Sequence, residues 1–255
     1  MSNARTVDPY QSLFDSRAYL RQYYSDPQLC SDDVELLQIL NSWLRRQKPR
    51  FGRALDLGCG PTLHYSFTLA PFVDAIDLAD YLPGNLAEIR LWLDEAEEAH
   101  DWDPRLQGVL TCGGGDITTL AARKSLYRTR VSRLLPCDLR KEDPLGHPAR
   151  YPLVTSFFCA ECVATSRSEW KLMLSRMANL VEPGGSLFMT ALHDASRYNV
   201  LGTWFSSVPV TPDDFAIELP KLGFPKARLE THLFPSPAWS EDGFDHICVI
   251  GATRE

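Results

Sequence analysis

Apolar positions recur along this chain in two rhythms, a helical one of about 3.6 residues and short unbroken runs. The helical rhythm comes first. FDSRAYLRQYY, residues 14–24, predicts a helix that starts near Asp15 or Ser16, both good N-caps. SDDVELLQILNSWLRR predicts a second, starting at Ser31, with acids in its first turn and arginines in its last, the order that suits the helix dipole. Its Val34, Leu37, Leu40 and Leu44 fall on one side. After QKPRFG the rhythm changes. RALDLG is a short apolar run ending in glycine, as a buried strand would be, and LHYSFTLA predicts a helix stopped near Pro71. FVDAIDLAD predicts a second strand, and PGNLAEIRLWLDEAEEA a helix with Leu86, Ile89 and Leu93 on its stripe. Strand and helix in alternation predict a parallel α/β sheet.

Residues 102–131 break the alternation and read as an insertion, LTCGGGD as a loop and ITTLAARKSLYRTR as a helix. VSRLLPCDL, PLVTSFFCA and the end of EPGGSLFMTALHD then predict strands three to five. SRSEWKLMLSRMANLV lies between the last two as a helix, with Trp170, Met173, Leu174 and Met177 inward as core. The tail predicts a helix, TPDDFAIELPKL, and two runs that pair as edge strands, ARLETHLF and FDHICVIGATR. The expected organisation is one domain: a helical cap over residues 1–50 and a core over 51–255.

Composition narrows the partners. At 255 residues and 44% hydrophobic the chain can bury a sizeable core. A net charge of -7 argues against nucleic acid or an anionic membrane surface. Arg123, Lys124, Arg128, Arg130 and Arg133 read as a solvated helix face. With no apolar run near ~18 residues and a polar start lacking the apolar core of a signal peptide, the expected location is the cytoplasm. Seven irregularly spaced cysteines read as reduced thiols. The lone C-x-x-C of Cys159 and Cys162 lacks the further ligands a zinc site needs, so no metal is expected. Cys159 reads as filling the buried end of a strand, a redox pair being the alternative.

The chemistry centres on ALDLGCGPT, residues 54–62. Gly58 and Gly60 stand between the first strand and first helix, where bare backbone lets a ligand approach and where open α/β sheets bind ligands. A dinucleotide site wants a third glycine three residues on, but that position is Leu63, and Pro61-Thr62 follow the second. Asp56 sits poorly beside a pyrophosphate and well beside a ligand carrying an ammonium group. Asp77 and Asp80 lie 19 and 22 residues after Gly58, where an acid accepts from ribose hydroxyls, and Tyr81 follows to flank an adenine. Asp138, in PCDL, stands where it accepts from an exocyclic amine. Acids at three successive strand ends suit a cationic adenosine ligand such as S-adenosylmethionine better than an anionic NAD pyrophosphate.

In YLRQYY, DLGCGPT, DYLPGNL with WLDEAEEAHDWDP, LPCDL, LVEPGG and WFSSVPV, taken in order, the chain resembles the small-molecule amine methyltransferases. That family includes the nicotinamide, phenylethanolamine and thioether/indolethylamine N-methyltransferases. The resemblance implies a Rossmann-like seven-stranded methyltransferase sheet with helices on both faces and an N-terminal helical cap. It implies S-adenosylmethionine held by Tyr19, Tyr23, Tyr24, Asp56, Gly58, Cys59, Gly60, Thr62, Asp80, Tyr81, Asn85, Asp138, Leu139 and Phe157. It further implies a small acceptor, an amine in the first instance, and a monomer or weak dimer.

The acceptor half departs from the family. Nicotinamide-type members carry an acid on strand five, where this chain has Thr190. The acids left to bind or deprotonate an amine are Glu161 first, then Asp194, with His193 beside it and Tyr23 closing over them. Tyr24, Thr190, Ser196, Tyr198 and Ser207 are the remaining candidates for the acceptor wall, and His64 and His246 are weaker candidates to take the proton, a lone histidine at such a place being more often a hydrogen-bonded structural residue. Oxygen or sulfur acceptors, and a binding protein of the same fold that transfers nothing, stay open as alternatives. A nicotinamide-dependent oxidoreductase is disfavoured by Pro61 and Leu63.

Overall fold

The computed structural model describes residues 9–47, 50–113, 119–200 and 202–255. The N-terminal part holds α1 (Pro9–Leu13), α2 (Ser16–Tyr23) and α3 (Ser31–Arg46). β1 (Phe51–Leu57), α4 (His64–Leu69), β2 (Val73–Asp80) and α5 (Pro83–Leu93) follow, then α6 (Asp103–Cys112), α7 (Leu120–Arg130) and β3 (Val131–Pro136). Next come β4 (Tyr151–Phe157), α8 (Ala160–Val163), α9 (Arg167–Asn179) and β5 (Val181–Leu192). The chain closes with β6 (Arg197–Val200), β7 (Thr203–Ser206), α10 (Pro212–Glu218), β8 (Leu229–Pro235) and β9 (His246–Thr253).

Seven strands make one sheet in the order β3-β2-β1-β4-β5-β9-β8. The first five run parallel, and β9 is antiparallel to both β5 and β8. From β1 the connections go outward to β2 in one direction and, after β3, to β4 in the other. The order therefore reverses between β1 and β4, the place where open α/β sheets bind ligands beyond the strand ends. One sheet face packs against α3, α4 and the insertion, with Leu37, Leu40, Leu44, Phe67, Tyr127 and Phe188 buried there. The other packs against α9 and α10 around Trp170, Met173, Leu174 and Phe215.

The two tail runs do pair, but only β8 is an edge: β9 lies between β5 and β8, which is why Ile247 to Ala252 are all buried. The buried face of α3 is turned from the predicted one, since Leu36 and Trp43 are inside while Val34 is half-buried. α5 stops at Leu93, short of the acidic run, and Glu95 takes a left-handed φ of 57°. The insertion begins with a helix, α6, which takes in Leu110, Thr111 and Cys112 of the predicted loop, while residues 114–116 of that loop lie outside the described residues. The β6–β7 hairpin had no counterpart in the sequence pattern. Among the described residues no helix is long and apolar enough to cross a membrane. No group of three metal-ligating side chains occurs among them either.

Candidate active site

The glycine turn is held by the neighbouring strand. Gly58 and Gly60 have φ of 71° and 61°, a region that costs any other residue. The Gly58 and Cys59 amides donate to Ala79 O at 2.8 and 3.1 Å, fixing the turn on the end of β2. A Cβ on Gly58 would collide with Cys159 Sγ, so that glycine is required by the protein's own packing. A Cβ on Gly60 would find only Thr62, at 4.0 Å, so here the backbone is open to close approach. Thr62 itself turns its hydroxyl inward to Cys59 O, at 3.0 Å.

Asp80 organises the adjoining strand end. Its carboxylate accepts from Gly60 N at 2.8 Å, Leu82 N at 2.8 Å and Asn85 Nδ2 at 2.9 Å. Ser16 Oγ, in the first turn of α2, donates to Asn85 Oδ1 at 2.6 Å. Thus the cap is hydrogen-bonded, through one amide side chain, to the same carboxylate as the glycine turn. Burial raises the Asp80 carboxyl above its usual range, against the pull of these donors. Asp56 lies beside it at the end of β1, 2% exposed, accepting from Thr155 Oγ1 at 3.0 Å. Burial, and then the nearby Asp80, push the Asp56 carboxyl up to about 7.

Asp138 follows β3, its chain tied in by the Cys137 amide, which donates to Asp80 O at 2.9 Å. Arg140 Nε donates to Asp138 Oδ1 at 2.9 Å, and the same guanidinium lies 4.4 Å from the centre of the Tyr81 ring. Leu139 is buried next to them. Asp56, Asp80 and Asp138 therefore sit at the ends of three neighbouring strands. Asp77 does not join them. Three residues from Asp80, it faces the opposite side of β2 and is taken up by Arg53 at 3.1 Å, Arg133 at 2.6 Å and Tyr151 Oη at 3.0 Å.

The cap adds an aromatic wall. Tyr19 lies 5.1 Å from Tyr23 and 5.6 Å from Tyr24, ring centre to ring centre. Tyr24 continues to Trp102 at 5.2 Å and His64 at 5.3 Å, and His64 to Tyr65 at 3.8 Å. Tyr65 stacks on Phe157, at the tip of β4, at 4.1 Å. Tyr23 turns the other way, towards Trp239 at 5.8 Å. Burial pushes the Tyr19 phenol up to about 12, so it stays a neutral donor. Burial also depresses His64 to about 4; neither ring nitrogen makes a hydrogen bond, and Asp33 Oδ1 is 3.8 Å from Nε2. This is a neutral core histidine, without the hydrogen bond expected of a structural one.

Beyond β4 the second half of the site begins. Glu161, in α8, is 0% exposed. Its Oε1 accepts from Leu192 N at 3.1 Å and Cys162 Sγ at 3.5 Å, while Oε2 has no hydrogen-bond partner. Burial raises this carboxyl to about 7. Cys159 feels the charges of both Asp80 and Glu161, so the two halves of the site adjoin at that residue. Cys162 and Leu192, which donate to Glu161, form a small apolar cluster with Ala195, and Phe158, Tyr198 and Phe244 pack against it. Tyr198 stacks on Phe205 at 5.6 Å, and Ser207, 7% exposed, holds the hairpin through its amide to Ser196 O at 2.9 Å.

Other candidates are differently placed. Thr190 is buried, and its hydroxyl accepts from Phe158 N at 3.1 Å. Asp194 and Ser196 are exposed. His193 is half-buried, its ring centre 5.8 Å from that of His246, which is paired with Asp245 at 2.8 Å. Among residues that sequence reasoning passed over, Phe158 stands out. It has a left-handed φ of 51°, strained for a bulky side chain, and its ring touches both the cluster under the cap and the cluster around Glu161. No sequence signal marks such a residue, because positive φ is read only from glycine and asparagine. Tyr65 was equally hidden, inside a helix whose register the pattern left open, whereas Ser16, read as a possible N-cap, is the first residue of α2 and spends its hydroxyl on Asn85.

A family model described as the NNMT/PNMT/TEMT family matches residues 3–231. Phenylethanolamine N-methyltransferase of Mus musculus is 30% identical over 248 residues, covering 92% of this chain and 80% of that protein. The Homo sapiens protein of the same name is 29% identical, covering 96% and 88%. Indolethylamine N-methyltransferase of Mus musculus is 29% identical, covering 79% and 78%. Among solved structures, a magnesium protoporphyrin IX methyltransferase from Synechocystis PCC 6803 with bound S-adenosylhomocysteine shares the fold. Its TM-score is 0.59 at 16% identity, covering 97% of each chain. An N-methyltransferase, NodS, from Bradyrhizobium japonicum matches with a TM-score of 0.53 at 12% identity, covering 94% of this chain and 97% of that one.

Proposed function

Given that the chain belongs to the NNMT/PNMT/TEMT family and is an S-adenosylmethionine-dependent methyltransferase, we propose that its acceptor is the nitrogen of a small amine and that Glu161 receives it. The observation that carries this is the free carboxylate oxygen of Glu161, fully buried and next to the cofactor half. A buried acid with one unpartnered oxygen is costly, and a donor such as an ammonium or amine N–H would satisfy it.

The residues at the strand ends fit the cofactor. Asp80 would hold the ribose, Tyr81 and Leu139 the adenine, Asp138 its exocyclic amine, and the open backbone at Gly60 with Asp56 the methionine end. When bound, S-adenosylmethionine supplies a methyl group already activated on a sulfonium sulfur. The chain's own part is then positioning and the proton. Tyr19, Tyr24 and Tyr65 keep water from the cofactor half, while Phe158 separates the halves and orients the acceptor. An amine attacks only when neutral. A carboxylate near 7 accepts the proton from an ammonium brought to it, so Glu161 both binds and deprotonates. The direct test is mass spectrometry of a panel of primary and secondary amines, phenols and thiols incubated with labelled cofactor. Methylation confined to phenols or thiols overturns the amine assignment, and no transfer to any of them overturns the activity.

A pH dependence follows for the cofactor half. Asp56 is protonated below about 7 and charged above it, and its proposed partner is cationic. Affinity for S-adenosylhomocysteine is therefore expected to rise with pH, by about tenfold between pH 6 and 8. Asp56→Asn should flatten this. Isothermal titration across that range decides it, and an affinity that falls with pH would remove Asp56 from the binding site.

A further inference from the structure

Arg105 stands in the first turn of α6, outside the cap, yet its guanidinium is committed to the cap. It is 5% exposed. Nε donates to Asp26 O at 3.0 Å, Nη2 to Tyr23 O at 2.9 Å and Nη1 to Asp33 Oδ2 at 3.0 Å. Its centre lies 4.9 Å from the centroid of the Tyr24 ring. The acceptors come from three successive pieces of chain: the end of α2, the link after it and the first turn of α3. Tyr23 O is among the last carbonyls of α2, which no intrahelical amide can satisfy. The contact also runs onward, because Asp33 Oδ1 accepts from Tyr65 Oη at 3.2 Å and Tyr65 stacks on Phe157 at the tip of β4.

Two neighbours belong to the same arrangement. The His100 Nε2 atom is 3.1 Å from Tyr24 O. Gly108, one turn along α6, lets the helix seat on Leu29, since a Cβ there would lie 2.9 Å from both Cγ and Cδ1 of that side chain. The far end of α2 is held separately, by Ser16 on Asn85 and by Arg17 on Glu88 at 3.0 Å. So the cap helix is tethered to α5 at its start and to the insertion at its end. Only the second tether is a fully buried, multiply bonded charge.

We propose that α6 is the latch of the cap, with Arg105 as a positioning residue. Acting through Tyr23, Tyr24 and Tyr65, it holds the segment from α2 to α3 shut and so sets how fast ligand enters and leaves the strand-end crevice. The proposal deepens the cofactor assignment above and rests on it. A forked cation suits this task better than an ammonium, because one rigid plane reaches three acceptors at once. Lid segments with few anchoring contacts open far more often than the fold as a whole. Removing the strongest anchor should raise the opening rate rather than alter the pocket.

The test compares wild type, Arg105→Lys and Arg105→Met by stopped-flow fluorescence with S-adenosylhomocysteine, using the tryptophans beside the cap tyrosines. It adds hydrogen exchange without ligand. The expected result is a dissociation rate faster by about tenfold or more in Arg105→Met, with Arg105→Lys between. Amide exchange should accelerate by a similar factor over residues 19–24, while residues 75–79 of β2 keep their protection. A folded Arg105→Met with a dissociation rate within about twofold of wild type overturns the latch, whatever its melting temperature. If that variant does not fold, Asp33→Asn, which keeps an acceptor but drops its charge, is expected to show the same effect at smaller size, and no effect overturns it. If the wild type binds no S-adenosylhomocysteine, the cofactor assignment fails. Exchange over residues 19–24 then judges the latch alone, and equal protection in wild type and variant refutes it.

Discussion

Asp80→Ala is expected to weaken S-adenosylhomocysteine binding by about a hundredfold or more. The carboxylate accepts from Gly60 N, Leu82 N and Asn85 Nδ2, so its loss leaves two backbone amides and one side-chain amide without a partner. Each such orphan costs roughly 1–3 kcal/mol if it stays buried, and a hundredfold change in affinity needs only about 2.7 kcal/mol. The glycine turn would lose its tie to the second strand end, and Asn85 its tie to the cap. Asp80→Asn should be milder, because an amide oxygen still accepts from Leu82 N, yet its new N–H₂ would face another donor at Gly60. Isothermal titration measures both variants. Unchanged affinity in Asp80→Ala would remove the ribose assignment and leave Asp80 a purely structural residue.

Replacing Glu161 by glutamine should separate stability from activity. Methyl transfer to an amine is expected to fall by about 10²–10⁴ in kcat/KM, the range of a positioned general base, while S-adenosylhomocysteine affinity stays close to that of the wild type. Stability should respond in the opposite sense. The folded protein holds this carboxyl at about 7, against 4.5 for an ordinary glutamate, so between those pH values it binds more protons than the unfolded chain does. Stability from this group therefore falls as pH rises through that window, by up to about 3 kcal/mol in all, and is level above it. Glutamine has no such slope. Denaturant titrations at pH 4.5, 6 and 8 should show the variant gaining on the wild type step by step. Parallel pH profiles would mean that Glu161 is charged at little cost, and an undiminished rate would move the base elsewhere.

How much of this was legible beforehand differs from element to element. The strands of the sheet were found because each is a short apolar run bounded by glycine, proline or charge, and the glycine turn because its residues adjoin one of them. The inward side of α9 was found because Trp170, Met173, Leu174 and Met177 repeat at helical spacing against a fully covering sheet. On α3, Leu36 and Trp43 competed with Val34 for the same face, and only the docking against sheet and insertion decides between them. Asp77 and Asp80 were both near a strand end by count. Which faces the crevice depends on pleat parity, and a shift of one residue in the strand's end reverses the answer. Thr190 was chosen by position, whereas its hydroxyl serves the strained backbone at Phe158, a conformation that no local pattern announces. The insertion hid α6 because Arg105 and Gly108 satisfy contacts far away in sequence and interrupt the apolar stripe that would have revealed the helix.

The seven cysteines, all free thiols, are graded by depth. Cys248 lies on an interior strand, Cys59 and Cys137 beside the glycine turn, Cys162 next to Glu161, and Cys30, Cys112 and Cys159 nearer the surface. Burial pushes the Cys30 thiol up to about 12 and raises Cys59, Cys159 and Cys162 well above their ordinary range, so none of these is a ready nucleophile in the folded protein. Alkylation of the four buried thiols under native conditions consequently proceeds through exposure events, and the order in which they are labelled ranks their regions by how readily they come apart. Without any engineered label, the chain carries its own depth gauge.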